Sequence, residues 1–132
     1  MFLILDSKNK ISGTNMNYKI NLRPNLENVK GVYLAFSNAP IVADNEESYY
    51  MVSIKELAIH VRSSDTAAGT GTFMVPIKSG PGYRSIGSVN SDFTGRADAG
   101  DVTLNQLTAR IHSSDGTTLA DDGNTLLVIG IE

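Results

Sequence analysis

The residues best suited to proton transfer or metal binding near neutral pH are two histidines, His60 and His112. Each falls near the end of a predicted strand and out of phase with its apolar neighbours, which points both side chains to solvent. A metal or acid–base site would require them to meet each other and a carboxylate in space. The carboxylates gather at turns instead, Asp44 with Glu46 and Glu47, and Asp121 with Asp122. Neither group has the alternating oxygen ligands and distant glutamate of a calcium loop, so both read as solvated turns. Gly69-Thr70-Gly71 and Gly80-Pro81-Gly82 are glycine-rich, but no helix pattern follows them to present its N-terminus to a phosphate. No serine sits in a Gly-x-Ser-x-Gly elbow. Tyr49, Tyr50 and Tyr83 offer faces on which a sugar or base could stack. With no tryptophan and no basic groove, packing or an interface is the stronger reading. The absence of cysteine removes disulfides, thiolate metal sites and cysteine nucleophiles together. No catalytic, cofactor-binding or metal-binding residue is assigned, and the chain is expected not to be an enzyme.

The elements that would have to position any site are strands. A chain of 132 residues is one domain's worth of sequence and buries roughly two thirds of its unfolded surface, enough for a core of its own. The net charge of −3 gives no reason to grip a phosphate backbone, so direct nucleic-acid binding is not expected. The apolar opening Met1-Phe2-Leu3-Ile4-Leu5 is too short for a secretory leader or a membrane span, and residues 2–5 read as a strand.

Short alternating runs separated by Gly, Asn, Asp, Ser and Pro recur along the chain. Tyr18, Ile20 and Leu22 share one face, and Arg23-Pro24-Asn25 is expected to end that strand, because proline cannot donate to a ladder. Val32, Leu34 and Phe36 form the next stripe. Residues 51–62 read as one long strand through Leu57, Ile59 and Val61, although residues 53–58 also suit a single helical turn. Phe73, Val75 and Ile77 follow, with Pro76 placing that strand at an edge or bulge. Short strands are expected near Tyr83 to Ile86 and around Phe93. Leu107, Ala109 and Ile111 line one face of a later strand. Ser114-Asp115-Gly116-Thr117 is a hairpin-type turn, and Asp121-Asp122-Gly123-Asn124 is a second.

The chain ends on a run apolar at almost every position: Leu126, Leu127, Val128, Ile129 and Ile131 around Gly130. A strand apolar on both faces is normally covered on both. Its outward face is either a small exposed patch of a central strand or part of a subunit interface. About eight strands with turns between them are the pattern of an all-β, single jelly-roll β-sandwich of antiparallel strands spanning residues 1–132.

Three stretches together resemble the penton, or minor capsid, proteins of icosahedral double-stranded DNA viruses and phages whose major capsid protein is a double jelly roll. The first is residues 5–22, an Asp6-Ser7 segment and a Ser/Gly/Thr-rich turn before a short amphipathic strand. The second is residues 26–41, where Val29-Lys30-Gly31-Val32-Tyr33-Leu34 runs into Ala39-Pro40-Ile41. The third is residues 104–132, a strand carrying Arg110, the Asp115-Gly116 turn, and a terminal apolar strand closing on Glu132. The likeness covers nearly the whole chain in order, through strand-and-turn patterns and not through catalytic signatures.

The resemblance implies a structural virion protein located at the capsid vertex. It implies a homopentamer closing each five-fold vertex, contacts with the major capsid protein, and a socket for a spike protein. It carries over no catalytic residue and no cofactor. Two other classes fit the composition: a phage tail, baseplate or fibre component, more often trimeric, and a carbohydrate-binding β-sandwich using Tyr49, Tyr50 and Tyr83.

Overall fold

In a computed structural model the alternating stripes pair into a curled antiparallel sheet. The structure describes residues 1–40, 49–57, 61–62, 64, 70–76, 84–88, 96–120 and 123–132. Among the described residues there is no α-helix. The strands are β1 (Phe2–Asp6), β2 (Ser12–Thr14), β3 (Asn17–Pro40), β4 (Tyr49–Ile54), β5 (Val61–Arg62), β6 (Thr70–Gly71), β7 (Phe73–Pro76), β8 (Arg84–Ser88), β9 (Arg96–His112) and β10 (Leu126–Ile131). The main sheet runs β1-β10-β3-β9-β4-β7, with β2 and β8 also pairing to β3, while β5 and β6 form a small separate ribbon.

The long strand β3 organises everything else. Its first third pairs with β2 and the end of β9, and its last third pairs with β10 and β8. Arg23-Pro24 does not end the strand as the sequence led us to expect. It interrupts the ladder instead: Asn21 pairs with Gln106 and Leu26 with Leu104, so five residues of β3 span two of β9. Proline has no N–H to give, and the extra residues bulge out and bend the strand. Asn28, with φ of 56°, sits in the same irregular stretch.

A bulge against β10 resets the alternation. Val128 pairs with Phe36 but Ile129 pairs with Leu34, so Ala35 is an extra residue on β3. On either side of the irregular stretch, Tyr18, Ile20 and Leu22 and then Val32 and Leu34, all even-numbered, face inward. Beyond the bulge Ser37 and Ala39 are the buried ones, and Phe36, expected beside Val32 and Leu34, is only half-buried. Ser37 keeps its place in the interior by bonding the hydroxyl of Tyr50 at 2.5 Å, across from a strand that is not its neighbour in the sheet.

The expected long strand over residues 51–62 also divides. β4 stops at Ile54, where Leu57 N donates to Ile54 O (3.0 Å) and closes a turn, and Val61 belongs to the separate ribbon. Glu56 fixes this end of the ladder, because its carboxylate accepts from both the backbone N–H (2.6 Å) and the hydroxyl (3.0 Å) of Thr108. The other stripes appear where the sequence puts them. Tyr18, Ile20 and Leu22, then Leu107, Ala109 and Ile111, then Phe73 and Val75 all join one core with Leu5, Leu34, Val52, Leu127 and Ile129. β7, which carries Pro76, is an end strand of the sheet.

The register of β10 predicts a sharp contrast between neighbours. Leu127 is fully buried and Leu126 half-buried. Leu127→Ala should lower unfolding stability by about 3 kcal/mol, and Leu126→Ala by about 1 kcal/mol or less. Urea denaturation of both variants checks this, since a one-residue slip would reverse the order.

Candidate functional site

The outward-facing side of β1, β10 and β3 carries the least expected chemistry of the described surface. Opposed residues of an antiparallel pair project on the same side. Phe2 and Ile4 oppose Gly130 and Val128, which in turn oppose Tyr33 and Phe36. Phe2 and Ile4 are 63% and 64% exposed. Leu126, Val128, Tyr33 and Phe36 are half-buried and continue the same apolar surface. Tyr33 lies flat over Gly130, where any Cβ would overlap its ring, and Phe2 meets it edge-on with ring centroids 6.5 Å apart. The terminal run therefore splits: Leu127, Ile129 and Ile131 turn into the core, while Leu126 and Val128 face out. Sequence reasoning missed Phe2, Ile4 and Tyr33, because each reads as an ordinary strand residue until the register sets them side by side.

The one cluster of nucleophile and base among the described residues is buried. His112, expected at the surface, is fully covered. It opposes the buried Met51 on β4, the following loop folds back to bridge it at Thr118, and β6 lies over the outer face of β4. A Cβ built on Gly71 would come within 3.2 Å of Met51 Cβ and 3.4 Å of Ser53 Oγ, so the backbones are nearly touching there. His112 Nδ1 lies 3.0 Å from Ser113 O, and a carbonyl only accepts, so Nδ1 carries the hydrogen. Burial pushes the imidazole pKa down, so Nε2 is a bare acceptor and takes the Ser53 hydroxyl hydrogen at 2.7 Å. Thr70 O, at 3.5 Å from the same hydroxyl, is left with the weaker contact.

Ser53 and His112 are thus spaced as a nucleophile and its base, but the third partner is a carbonyl where a catalytic pair uses a carboxylate. Both ring nitrogens are satisfied within the fold, and the pair ties β4 to the end of β9. The adjoining hairpin is held by its own polar groups. Gly116, with φ of 90°, turns the chain as the Asp-Gly pair suggests. Asp115 accepts from the Ser113 hydroxyl and from Thr117 N (2.8 Å), which hold its carboxyl down at about 2. Arg110 donates to Gly116 O and to Thr118 Oγ1 (2.8 Å).

Near the other end of the core, Ser7 Oγ donates to Asn15 Oδ1 (2.8 Å) and accepts from Thr125 N (2.8 Å). The Thr125 hydroxyl gives its hydrogen to Asn15 O (2.8 Å), and the buried Tyr18 phenol has no partner at hydrogen-bond distance. Burial pushes that phenol up to about 12. Tyr50 is fully buried and offers no ring face to a sugar, while Tyr49 is half-buried. His60, Asp44, Glu46, Glu47, Asp121, Asp122, Tyr83, Gly69 and Gly80-Pro81-Gly82 lie outside the described residues. Among the described residues no three of His, Asp and Glu gather as metal ligands would.

The chain matches no known family model, and no curated protein is significantly similar to it.

The burial of His112 has a pH signature. In the unfolded chain a histidine takes up its proton near pH 6.5, whereas the folded imidazole resists until the pH is lower. Its contribution to stability is therefore complete above about pH 6.5 and is lost as the pH falls from there through the folded value, with a slope of at most about 1.4 kcal/mol per pH unit. His112→Gln should flatten that part of the stability curve, as measured by denaturant melts between pH 7.5 and 5. Ser53→Ala leaves Nε2 without its donor and should cost about 1–3 kcal/mol at neutral pH in the same melts.

Proposed function

We propose that the chain is a structural virion protein, the penton capsomer that closes the five-fold vertices of an icosahedral capsid. On this reading the curled sheet is a single jelly-roll sandwich, the protein is a homopentamer, and it contacts the major capsid protein and can anchor a spike. It performs no chemistry.

The observation that carries the reading is the apolar outer face of β1, β10 and β3. A lone soluble molecule gains by covering Phe2 and Ile4, and the half-buried Leu126, Val128, Tyr33 and Phe36 extend the same patch. Rings of identical subunits cover such patches by repeating one head-to-tail contact until the ring closes. The strand-and-turn likeness to penton proteins over residues 5–22, 26–41 and 104–132 supplies the five-fold closure. The buried, internally satisfied state of the Ser53–His112 pair fits a protein that assembles better than one that turns over a substrate.

Native mass spectrometry or sedimentation should find a species of about 70 kDa, five copies of the 14.1 kDa chain. Ile4→Lys places a charge in the most exposed part of the patch and should return the protein to monomers with an unchanged β-type circular dichroism spectrum. A wild-type protein that stays monomeric at tens of micromolar would remove the reading, and a stable trimer would favour the tail or fibre class.

A further inference from the structure

The hydrogen bonds at the two ends of β1 fix which way each of its backbone groups points. Ile131 N donates to Met1 O at 2.8 Å, and Ser7 N donates to Thr125 O at 3.0 Å. The register between them is unbroken, with Leu3 opposite Ile129 and Leu5 opposite Leu127. In an antiparallel ladder the pairs that exchange both bonds alternate with pairs that exchange none. Met1, Leu3, Leu5 and Ser7 therefore direct their N–H and C=O groups at β10. Phe2, Ile4 and Asp6 direct theirs to the opposite side, and among the described residues no strand receives them there.

Edge strands usually carry a lysine, a proline or a bulge that blocks further pairing. β1 has none of these over Phe2–Asp6. Its open side also borders a groove of about 550 Å³. Met1, Leu3 and Ile4 line one side, residues 20–27 the other, and Ile131 and Val29 complete the lining. The groove stands where Arg23-Pro24 breaks the β3–β9 ladder.

We infer that the free edge of β1 and this groove form a site that accepts one extended segment of another protein chain, added to the sheet as an extra strand, with apolar side chains at alternate positions. The edge dictates the extended backbone, since only a strand presents N–H and C=O groups at the spacing of Phe2, Ile4 and Asp6. The groove dictates the alternation, because every second side chain of an added strand points down towards Leu3, Leu22 and Leu26. The strand must come from a segment that is not already part of a folded sheet. The β1 of a second copy has Leu5 buried and Leu3 packed on its own core, and the other end strand, β7, has Phe73 and Val75 fully buried. Neither has side chains to spare for the groove. The inference stands on β1 and its surroundings alone and does not depend on five-fold assembly.

The test uses the full chain and two immobilised libraries of octapeptides. One has Ile, Val, Leu or Phe at every second position with Thr, Ser or Lys between, and the other has the same composition in scrambled order. The alternating library should retain the protein roughly tenfold better, and the best binder should slow amide exchange at Phe2 and Ile4, which should exchange fast in the unbound protein. Ile4→Pro removes one edge donor without touching the ladder to β10 and should weaken binding roughly tenfold. Methylating alternate backbone nitrogens of the best peptide, on its ladder-facing side, tests the same bonds without altering the protein and should abolish the gain. Equal retention of both libraries, binding indifferent to N-methylation, protection of Phe2 and Ile4 amides in the unbound monomer, or occupation of the edge by a second copy would each overturn the inference.

Discussion

Everything in this fold depends on keeping apolar side chains facing one interior while a single strand passes through pairings with four others. β3 is hydrogen-bonded to β2, β8, β9 and β10 in turn. A strand alternates sides strictly, so any slip in a ladder would turn its whole inward set outward. The chain solves this by slipping only where it also inserts residues. The irregular stretch that begins at Arg23-Pro24 returns the strand to its old phase by Val32 and Leu34, whereas the extra residue at Ala35 reverses it. Tyr18, Ile20 and Leu22 face the core before these irregularities, and Ser37 and Ala39 face it after Ala35.

That constraint explains what could be read in the residues and what could not. Runs with one uninterrupted ladder were legible. Leu107, Ala109 and Ile111, and Phe73 with Val75, lie inward as their spacing requires. The Asp115-Gly116 turn was legible because a positive φ needs a residue that tolerates it. The bulges were not legible, since Ala35 looks like any strand residue and its effect is known only from the pairing with Val128 and Ile129. His112 was misread for a related reason. Period-two reasoning assumes one covered face, but at the end of β9 Ile111 turns into the core while His112 shares the other side with Met51 and Ser53, where β6 lies against β4. The turn after Ile54 was half-legible. The local pattern suited a turn, and the continued alternation through Val61 argued against it.

The site was less legible than the fold. The apolar run at residues 126–131 marked the right strand, but half of it supplies the core, and the exposed part of the surface comes mostly from Phe2 and Ile4 at the opposite end of the chain. An interface built from neighbours in a sheet has no sequence signature until pairing is known. The Ser53–His112 pair is of the same kind, with 59 residues between two groups that end up 2.7 Å apart. Its bonds within the fold and its cover by β6 describe a latch between strands.

The continuity of β3 has a mechanical meaning. Where two halves of a fold touch only through side chains, a sideways load is resisted by weak contacts that can be exchanged one at a time. Here one continuous strand, β3, carries ladders to β2, β8, β9 and β10, and the Ser37–Tyr50 bond ties its far end to β4 through the interior. A load on one strand is therefore shared among several ladders, so the fold should yield first at the termini of its peripheral strands and last along its spine.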